Sequence, residues 1–312
     1  HRPDYELPWL GQSHVTGLLL NRLGPRESGT LVRQVAAGHE LASALVQQIV
    51  SQTDGIPLFV EEVTKAVLET GAANGDAAQA SGVGRALPMP ATVRGSLTAR
   101  LERLAGARTL MQTCSALGRE FSFALVRSVT ALPDGELEAM LHRLVTSGLV
   151  HQRGVVPDAV YAFKHALVQD AAYETMVRKQ REQVHRRIVE VFEHEFADQQ
   201  AQHPEVFAHH CTEAGEWQKA IDARIRAART ARDRSAGIEA QAQVEAAVSL
   251  LTRIADGSVR RRLEGRLQVA LADALVMTQG FACPGVMTAL SKARVLLDAT
   301  SDPVESIAAL CG

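Results

Sequence analysis

The stretch SQTDGIPLFVEEVTKAVLETG, residues 51–71, predicts two helices joined by a stiff elbow. Gly55 can adopt the left-handed conformation that ends a helix. Pro57 has a restricted φ and no N–H, so it suits the first turn of the next helix. The apolar face of that helix follows, with Phe59, Val60, Val63 and Val67. Around this elbow we expect a small bundle of helices.

The composition favours a helical protein of two or three domains. Of the 312 residues, 46% are apolar and only 4% are aromatic, while Ala, Leu, Val, Gln and Arg abound. The four cysteines are far apart and form no C-x-x-C pair, so neither a disulfide framework nor a zinc knuckle is expected. A formal net charge of −2 does not suggest a strong polyanion binder. The same cysteine pattern fits a reducing, cytoplasmic location. With no apolar run of membrane-spanning length, we expect no membrane contact.

Residues 71–90 are rich in Gly and Ala and predict a flexible linker. Residues 91–200 then predict helices followed by a hairpin, with strands over 149–153 and 160–164. That order is typical of a winged helix. A short helix is expected over 121–130, and one long helix from 167 to about 196.

Residues 201–312 predict helices of similar length in series. Antiparallel helix pairs of this kind form an α-solenoid, whose concave face commonly binds a protein partner or effector. The spacing is loosely that of tetratricopeptide repeats, without their full consensus. The chain begins at His1 and ends in an apolar run, so we expect it to be a piece of a longer protein whose repeats continue past residue 312.

Several stretches resemble the STAND class of signalling ATPases, in particular the large bacterial regulators that carry class III adenylate or guanylate cyclase domains. The stretches are HRPDY at 1–5, PWLG at 8–11, LLLNRL at 18–23, residues 51–71, FKHALVQDAAY at 163–173 and HHCTEAGEWQKAIDARIRAA at 209–228. The resemblance implies a mainly α fold. It comprises the sensor loop and lid helices of an ATPase module over 1–70, a winged helix over 91–200, and a solenoid similar to tetratricopeptide repeats over 201–312.

The resemblance also implies four nucleotide-binding residues for ATP or ADP with Mg²⁺ in the intact protein. Pro57, whose position depends on the turn at Gly55, would pack against adenine. Arg2 would sense the γ-phosphate, and His165 would hold the β-phosphate of ADP in a closed state. Each has a simpler interpretation: a rigid turn for Gly55 and Pro57, a solvated side chain for Arg2, and a partly buried histidine bonded to backbone for His165.

The sequence lacks the G-x-x-x-x-G-K-[ST] loop that cradles phosphates, and no apolar strand ends in paired acidic residues that could hold Mg²⁺. We therefore expect this chain alone to have no catalytic residues, to bind no nucleotide tightly, and neither to hydrolyse ATP nor to make a cyclic nucleotide. The phosphate-binding domain would lie upstream in the same polypeptide. The intact protein would then be an ATPase that controls a cyclase or transcription output.

The alternative is a helical scaffold or transcription regulator that binds DNA through the winged helix. Its recognition helix, residues 134–147, carries Asp134, Glu136 and Glu138 against Arg143. Phosphates would be repelled by that face, so DNA binding is disfavoured. A metal site at His209, His210 and Cys211 is disfavoured as well, because consecutive helical residues point in different directions.

Overall fold

The computed structural model describes residues 21–39, 41–73, 93–103 and 106–298. The chain is mainly helical with one small antiparallel sheet, as the sequence predicted. It divides between residues 105 and 106 into two compact units. No helix in these ranges is both long and apolar enough to cross a membrane.

The first unit is a small helical bundle. Its helices are α1 (Pro25–Ala36), α2 (Ser43–Thr53), α3 (Pro57–Ala73) and α4 (Val93–Arg103). Val32, Ile49, Val60 and Val63 are completely buried and form the core of α1, α2 and α3. Helix α3 continues three residues into the predicted linker, whose residues 74–90 lie outside the described part of the chain. The sequence analysis placed the residues of α4 in the domain 91–200, whereas in the structure α4 packs against α3.

The second unit begins with a module of three helices and three strands, residues 108–163, which we call the sheet module. Its elements are α5 (Arg108–Leu117), β1 (Glu120–Ser122), α6 (Phe123–Thr130), α7 (Asp134–Thr146), β2 (Val150–Arg153) and β3 (Val160–Phe163). The predicted hairpin is confirmed as β2 and β3, with Val150 opposite Phe163 and Arg153 opposite Val160.

The predicted helix over 121–130 is wrong at its first two residues, because residues 120–122 form the extra strand β1. Phe121 pairs with Tyr161 of β3. Their rings lie 6.0 Å apart, and this apolar packing competes successfully with helix formation at Phe121. Helix α6 starts at Phe123, where the Ser122 hydroxyl accepts a hydrogen bond from the Leu125 N–H at 3.2 Å.

The single long helix predicted from 167 to about 196 is also wrong. The structure has two helices, α8 (Ala166–Glu174) and α9 (Arg178–Glu195), with a tight turn between them. Arg181 stabilises that turn by donating from Nε to the Met176 carbonyl at 3.1 Å and from Nη2 to the Glu174 carbonyl at 3.3 Å. Met176 is buried. Tertiary packing and an arginine cap therefore override the continuous helical pattern.

The remaining helices pack in series as antiparallel neighbours, which confirms the predicted α-solenoid. They are α10 (Ala197–Gln202), α11 (Pro204–Glu213), α12 (Trp217–Asp233), α13 (Gly237–Leu250), α14 (Gly257–Gln279) and α15 (Pro284–Asp298), with a 3₁₀ turn at Leu251–Arg253. Each helix from α11 to α14 packs against the next, and α12 also packs against α14. Buried alanines such as Ala220 and Ala228 let these helices approach closely.

Candidate functional site

The elbow between α2 and α3 has the backbone geometry that the sequence predicted. Asp54 and Gly55 both have positive φ, 50° and 68°, so helix α2 ends in the left-handed region. Helix α3 begins at Pro57. The Leu23 N–H donates to the Gly55 carbonyl at 2.8 Å. A Cβ at position 55 would collide with the carbonyl oxygen of Leu23, so the close approach of these two backbones requires glycine.

The elbow presents an apolar edge to solvent. Pro57 is exposed, and so is Ile56 beside it. Because Pro57 occupies the first position of α3, its ring is held by the helix behind it and by the restricted φ of proline. This arrangement can offer a rigid apolar contact to a flat ligand, with polar groups of the turn nearby. Arg22 and Asp54 form an exposed ion pair across the same turn.

His165 lies at the junction between β3 and α8. It is the N-cap residue of α8 in extended conformation, and its carbonyl accepts a hydrogen bond from the Val168 N–H at 3.0 Å. The side chain is partly buried, and the neighbouring Lys164 is tied to the hairpin through its N–H, which donates to the Leu149 carbonyl. The histidine is thus held at the base of the hairpin.

The predicted nucleotide-binding residues fall in different parts of the chain. The structure brings Gly55 and Pro57 together in one elbow of the first unit, whereas His165 belongs to the second unit. Arg2 lies outside the described residues. The functions proposed for all four remain predictions.

The face of α7 that would enter a DNA groove is acidic and exposed. Asp134, Glu136 and Glu138 are all exposed on this helix. On the hairpin, Arg153 donates to the Glu120 carboxylate at 3.0 Å, so its charge is already paired. This distribution opposes contact with phosphates.

A polar cluster that the sequence analysis did not predict joins three helices of the second unit. His185 of α9 and His210 of α11 face each other with their Nδ1 atoms 2.9 Å apart. The Tyr173 hydroxyl of α8 lies 3.0 Å from Nε2 of His185 and donates to Oε2 of Glu213 at 3.3 Å. We call these four residues the histidine cluster. Because its members come from α8, α9 and α11, it links the turn after the sheet module to the start of the solenoid.

Burial determines the protonation of the histidine cluster. His185 and His210 are 0% and 2% exposed. Desolvation, with smaller contributions from His209 and Arg181, lowers the pKa of His185 to about 4. Desolvation is also the main cause that lowers the pKa of His210 to about 3, and the neighbouring His185 and His209 lower it further. Desolvation and Glu213 raise the pKa of Tyr173 to about 12, so both imidazoles and the phenol are uncharged at neutral pH.

The cluster does not have the donors of a metal centre. Within the described ranges, no three His, Cys, Asp or Glu side chains are grouped so that they could hold a metal ion. His209 is exposed, His210 points into the interface with α9, and Cys211 is buried. Desolvation raises the pKa of the Cys211 thiol to about 12, so it is a poor ligand and a poor nucleophile.

No family model matches the chain. The chain is similar to an uncharacterized protein of Rhizobium meliloti, with 27% identity over 286 residues, 89% of this chain and 27% of that protein. It thus spans about a quarter of the length of that relative.

A structural comparison matches the crystal structure of the STAND protein with a tetratricopeptide repeat sensor from Pyrococcus horikoshii. Sequence identity is 10%, and the match covers 93% of this chain and 50% of that one, with a TM-score of 0.36.

Proposed function

We propose that this chain is the regulatory part of a cytosolic STAND-type signalling ATPase. In this proposal the first unit supplies lid helices over a bound adenine nucleotide. The sheet module acts as a winged helix that closes on the diphosphate, and the solenoid receives a protein partner or effector. The P-loop domain and the output domain, a cyclase or a transcription module, belong to other parts of the polypeptide.

The observation that carries the proposal is the geometry of the Gly55–Pro57 elbow. A simple helix-to-helix turn needs no residue in contact with a third segment, yet Gly55 is held against Leu23 by a backbone hydrogen bond of 2.8 Å. This hydrogen bond helps to fix the shape of the elbow, and Pro57 beside it is exposed. A preformed apolar edge is what a planar base requires, because little ordering entropy is then lost on binding.

Two further features support the assignment. His165 at the base of the hairpin has an imidazole that could donate to a phosphate oxygen, and a domain movement would break such a contact. Antiparallel helix pairs in series present an extended surface of the kind that repeat proteins use for protein partners.

The test is nucleotide retention by the longer polypeptide that contains this chain. Pro57→Ala should weaken ADP binding, because the alanine presents less apolar surface to the base and loosens the start of α3. The matched control is Pro284→Ala, which removes an exposed proline from the first position of α15 in the other unit. ADP retained by the purified protein would be measured by chromatography after denaturation.

The expected result is a clear loss of ADP for Pro57→Ala and retention equal to the parent for Pro284→Ala. Equal retention in all three proteins would show that the elbow is a rigid turn only. A longer polypeptide without any bound or exchangeable adenine nucleotide would overturn the proposal as a whole.

A further inference from the structure

The hydrogen bonds of the histidine cluster determine where its protons lie. The Tyr173 hydroxyl donates to Glu213, so its oxygen is left to accept from Nε2–H of His185. A neutral His185 with its proton on Nε2 has a lone pair on Nδ1. His210 must then donate from Nδ1, because the two Nδ1 atoms are 2.9 Å apart and one of them must carry a proton.

The donors in this series of hydrogen bonds all point in one direction, from His210 through His185 and Tyr173 to the Glu213 carboxylate. Both imidazoles are neutral in this arrangement. A proton added at Nε2 of His210 would leave these hydrogen bonds intact but would place a positive charge on an almost completely buried side chain. A proton added at Nδ1 of His185 would place two N–H donors face to face. If His210 instead changed tautomer to accept it, a positive charge would still be shared by two side chains that are almost completely buried.

We propose that the histidine cluster is an acid-sensitive latch that holds α11 against α9 while both imidazoles are neutral and releases this contact when either is protonated. The latch lies where the sheet module and the helices that follow it meet the solenoid. It would let acidification alter how the solenoid is joined to the rest of the second unit. The proposal is independent of nucleotide binding.

The charges around the pair disfavour an added proton more than they favour it. Arg181 of α9 lies over the Tyr173 ring, with its Cζ 4.8 Å from the ring centre, and its charge helps to lower the pKa of His185. The His209 ring of α11 is 5.7 Å from the His185 ring. The Phe192 ring stacks on His210, with the ring centres 5.8 Å apart. Glu213 is the acidic member of the cluster, and the Tyr173 hydroxyl lies between it and His185.

The other groups on the helices packed against α9 and α11 make contacts of their own. Helix α5 meets α9 through Gln112 and Gln180, which are uncharged. Helix α6 meets it through Ser128, which contacts Glu195 and Arg187. Helix α10 carries an exposed aspartate, Asp198. Arg186 of α9 donates to the Ala214 carbonyl at the end of α11, and Lys219 of α12 pairs with Glu193 and Glu216.

Linkage gives the size of the effect. His185 has a pKa of about 4 in the closed latch and would have its ordinary value in the open one. Lowering the pH from 7 to 5 therefore raises the equilibrium constant for opening about 20-fold. If both imidazoles are released together, this equilibrium constant rises by roughly the square of that factor.

The experiment is hydrogen–deuterium exchange of the 312-residue chain at pH 7 and pH 5, with each rate divided by the intrinsic rate of an unstructured peptide. Protection of α9 and α11 should fall at least about 20-fold on acidification. Helices α12 to α15 contain no histidine and provide the internal control. Equal changes in all helices, or no change in α9 and α11, would overturn the proposal.

A matched pair of double variants isolates the cluster. His185→Gln/His210→Asn keeps uncharged amides and removes the titration, so its acid response in α9 and α11 should vanish. His194→Gln/His203→Gln removes two exposed histidines near the same helices and should behave as the parent does. The proposal would be overturned if the cluster variant kept the acid response or if the variant of the exposed histidines lost it. If the cluster variant does not fold, NMR titration of the parent decides: His185 and His210 should titrate below pH 5, and ordinary titration of both near pH 6.5 would refute the latch.

Discussion

Glu62 of α3 and Arg100 of α4 form an ion pair whose side chains are only 1% and 3% exposed. Arg100 donates from Nη1 to Oε2 of Glu62, and Lys65 approaches the other oxygen of this carboxylate at 3.6 Å. A charge pair removed from water in this way ties α4 to α3 specifically, because loss of either partner leaves the other charge buried. This explains why α4 belongs to the first unit although the predicted linker separates it from α3 in the sequence.

Arg100→Met should therefore destabilise the packing of α4 on α3 by about 3–5 kcal/mol, since the Glu62 carboxylate would remain buried without its guanidinium. The measurement is hydrogen exchange of peptides from α3 and α4. Arg22→Met is the control, because Arg22 and Asp54 are 65% and 73% exposed and such pairs contribute little. Similar loss of protection in both variants would show that the buried pair has no special part in holding α4.

Gly55→Ala should destabilise the first unit by more than left-handed strain alone, which costs about 1 kcal/mol. The added Cβ would collide with the Leu23 carbonyl, so the hydrogen bond between Leu23 and Gly55 would also be lost. Gly38→Ala is the matched control, because Gly38 has φ 92° and open space around it. We expect Gly55→Ala to cost at least about 2 kcal/mol more than Gly38→Ala in urea unfolding followed by circular dichroism. Equal costs would mean that the elbow can shift away from Leu23.

The sequence predicted the helices because their apolar spacing is regular and their ends carry Gly and Pro signals. Helix α7 begins at Asp134, as predicted. Two of the differences arise from contacts that the helical spacing does not show. Phe121 becomes a strand residue because it packs on Tyr161, 40 positions later, and the α8–α9 turn depends on carbonyl caps from Arg181.

The histidine cluster was missed although the sequence contained a signal for it. His185 falls on the same helical face as Ile188, Val189 and Phe192, and His210 on the face of Phe207 and Ala214, so both patterns place an imidazole among buried groups. Nothing in the spacing indicated that the two faces meet, since that depends on how the residues between α9 and α11 fold back. Of the predicted nucleotide-binding residues, the backbone features of Gly55 and Pro57 could be predicted, because glycine and proline determine local conformation by themselves.

Binding of this chain to duplex DNA should be weak, independent of sequence and steeply reduced by salt. The reason is the exposed acidic face of α7, formed by Asp134, Glu136 and Glu138. Replacing all three by Asn or Gln should tighten the binding several-fold, as measured by fluorescence anisotropy at two salt concentrations. A sharp footprint that resists salt in the parent chain would favour the transcription-regulator alternative instead.

In the longer polypeptide, His165→Ala should lower the ratio of closed to open states by about ten-fold or more. We expect this because a charge-assisted hydrogen bond to a phosphate contributes roughly 1.5–3 kcal/mol, and only the closed state would have it. ADP retention and basal output activity would both be measured. The control is His151→Ala, an exposed histidine on β2 of the same hairpin. Tight ADP retention and unchanged output in His165→Ala would identify His165 as an ordinary N-cap residue of α8.

Tyr173→Phe tests the proton arrangement of the histidine cluster, because it removes the acceptor of the buried Nε2–H of His185. An unsatisfied buried donor costs about 1–3 kcal/mol, so the free energy of unfolding should fall by that amount at pH 8. Tyr161→Phe is the control, a tyrosine whose ring packs against Phe121 in the sheet. Trp217 fluorescence in a Trp9→Phe background would report unfolding beside α11.

The pH dependence of the same variant separates the causes of the low histidine pKa. Desolvation is the main cause for both His185 and His210, so the unfolded chain binds more protons than the folded one below pH 6.5. Stability is therefore complete above that pH and falls as the pH decreases toward about 4, where folded His185 begins to be protonated. Tyr173→Phe should keep this slope, because it removes a hydroxyl and leaves the imidazoles buried. The opposite result would be a stability of Tyr173→Phe that no longer depends on pH between 6.5 and 4. The hydroxyl, and not burial, would then keep His185 neutral. It could do so only by donating to Nε2 of His185, so the proposed order of donors from His210 to Glu213 would be wrong.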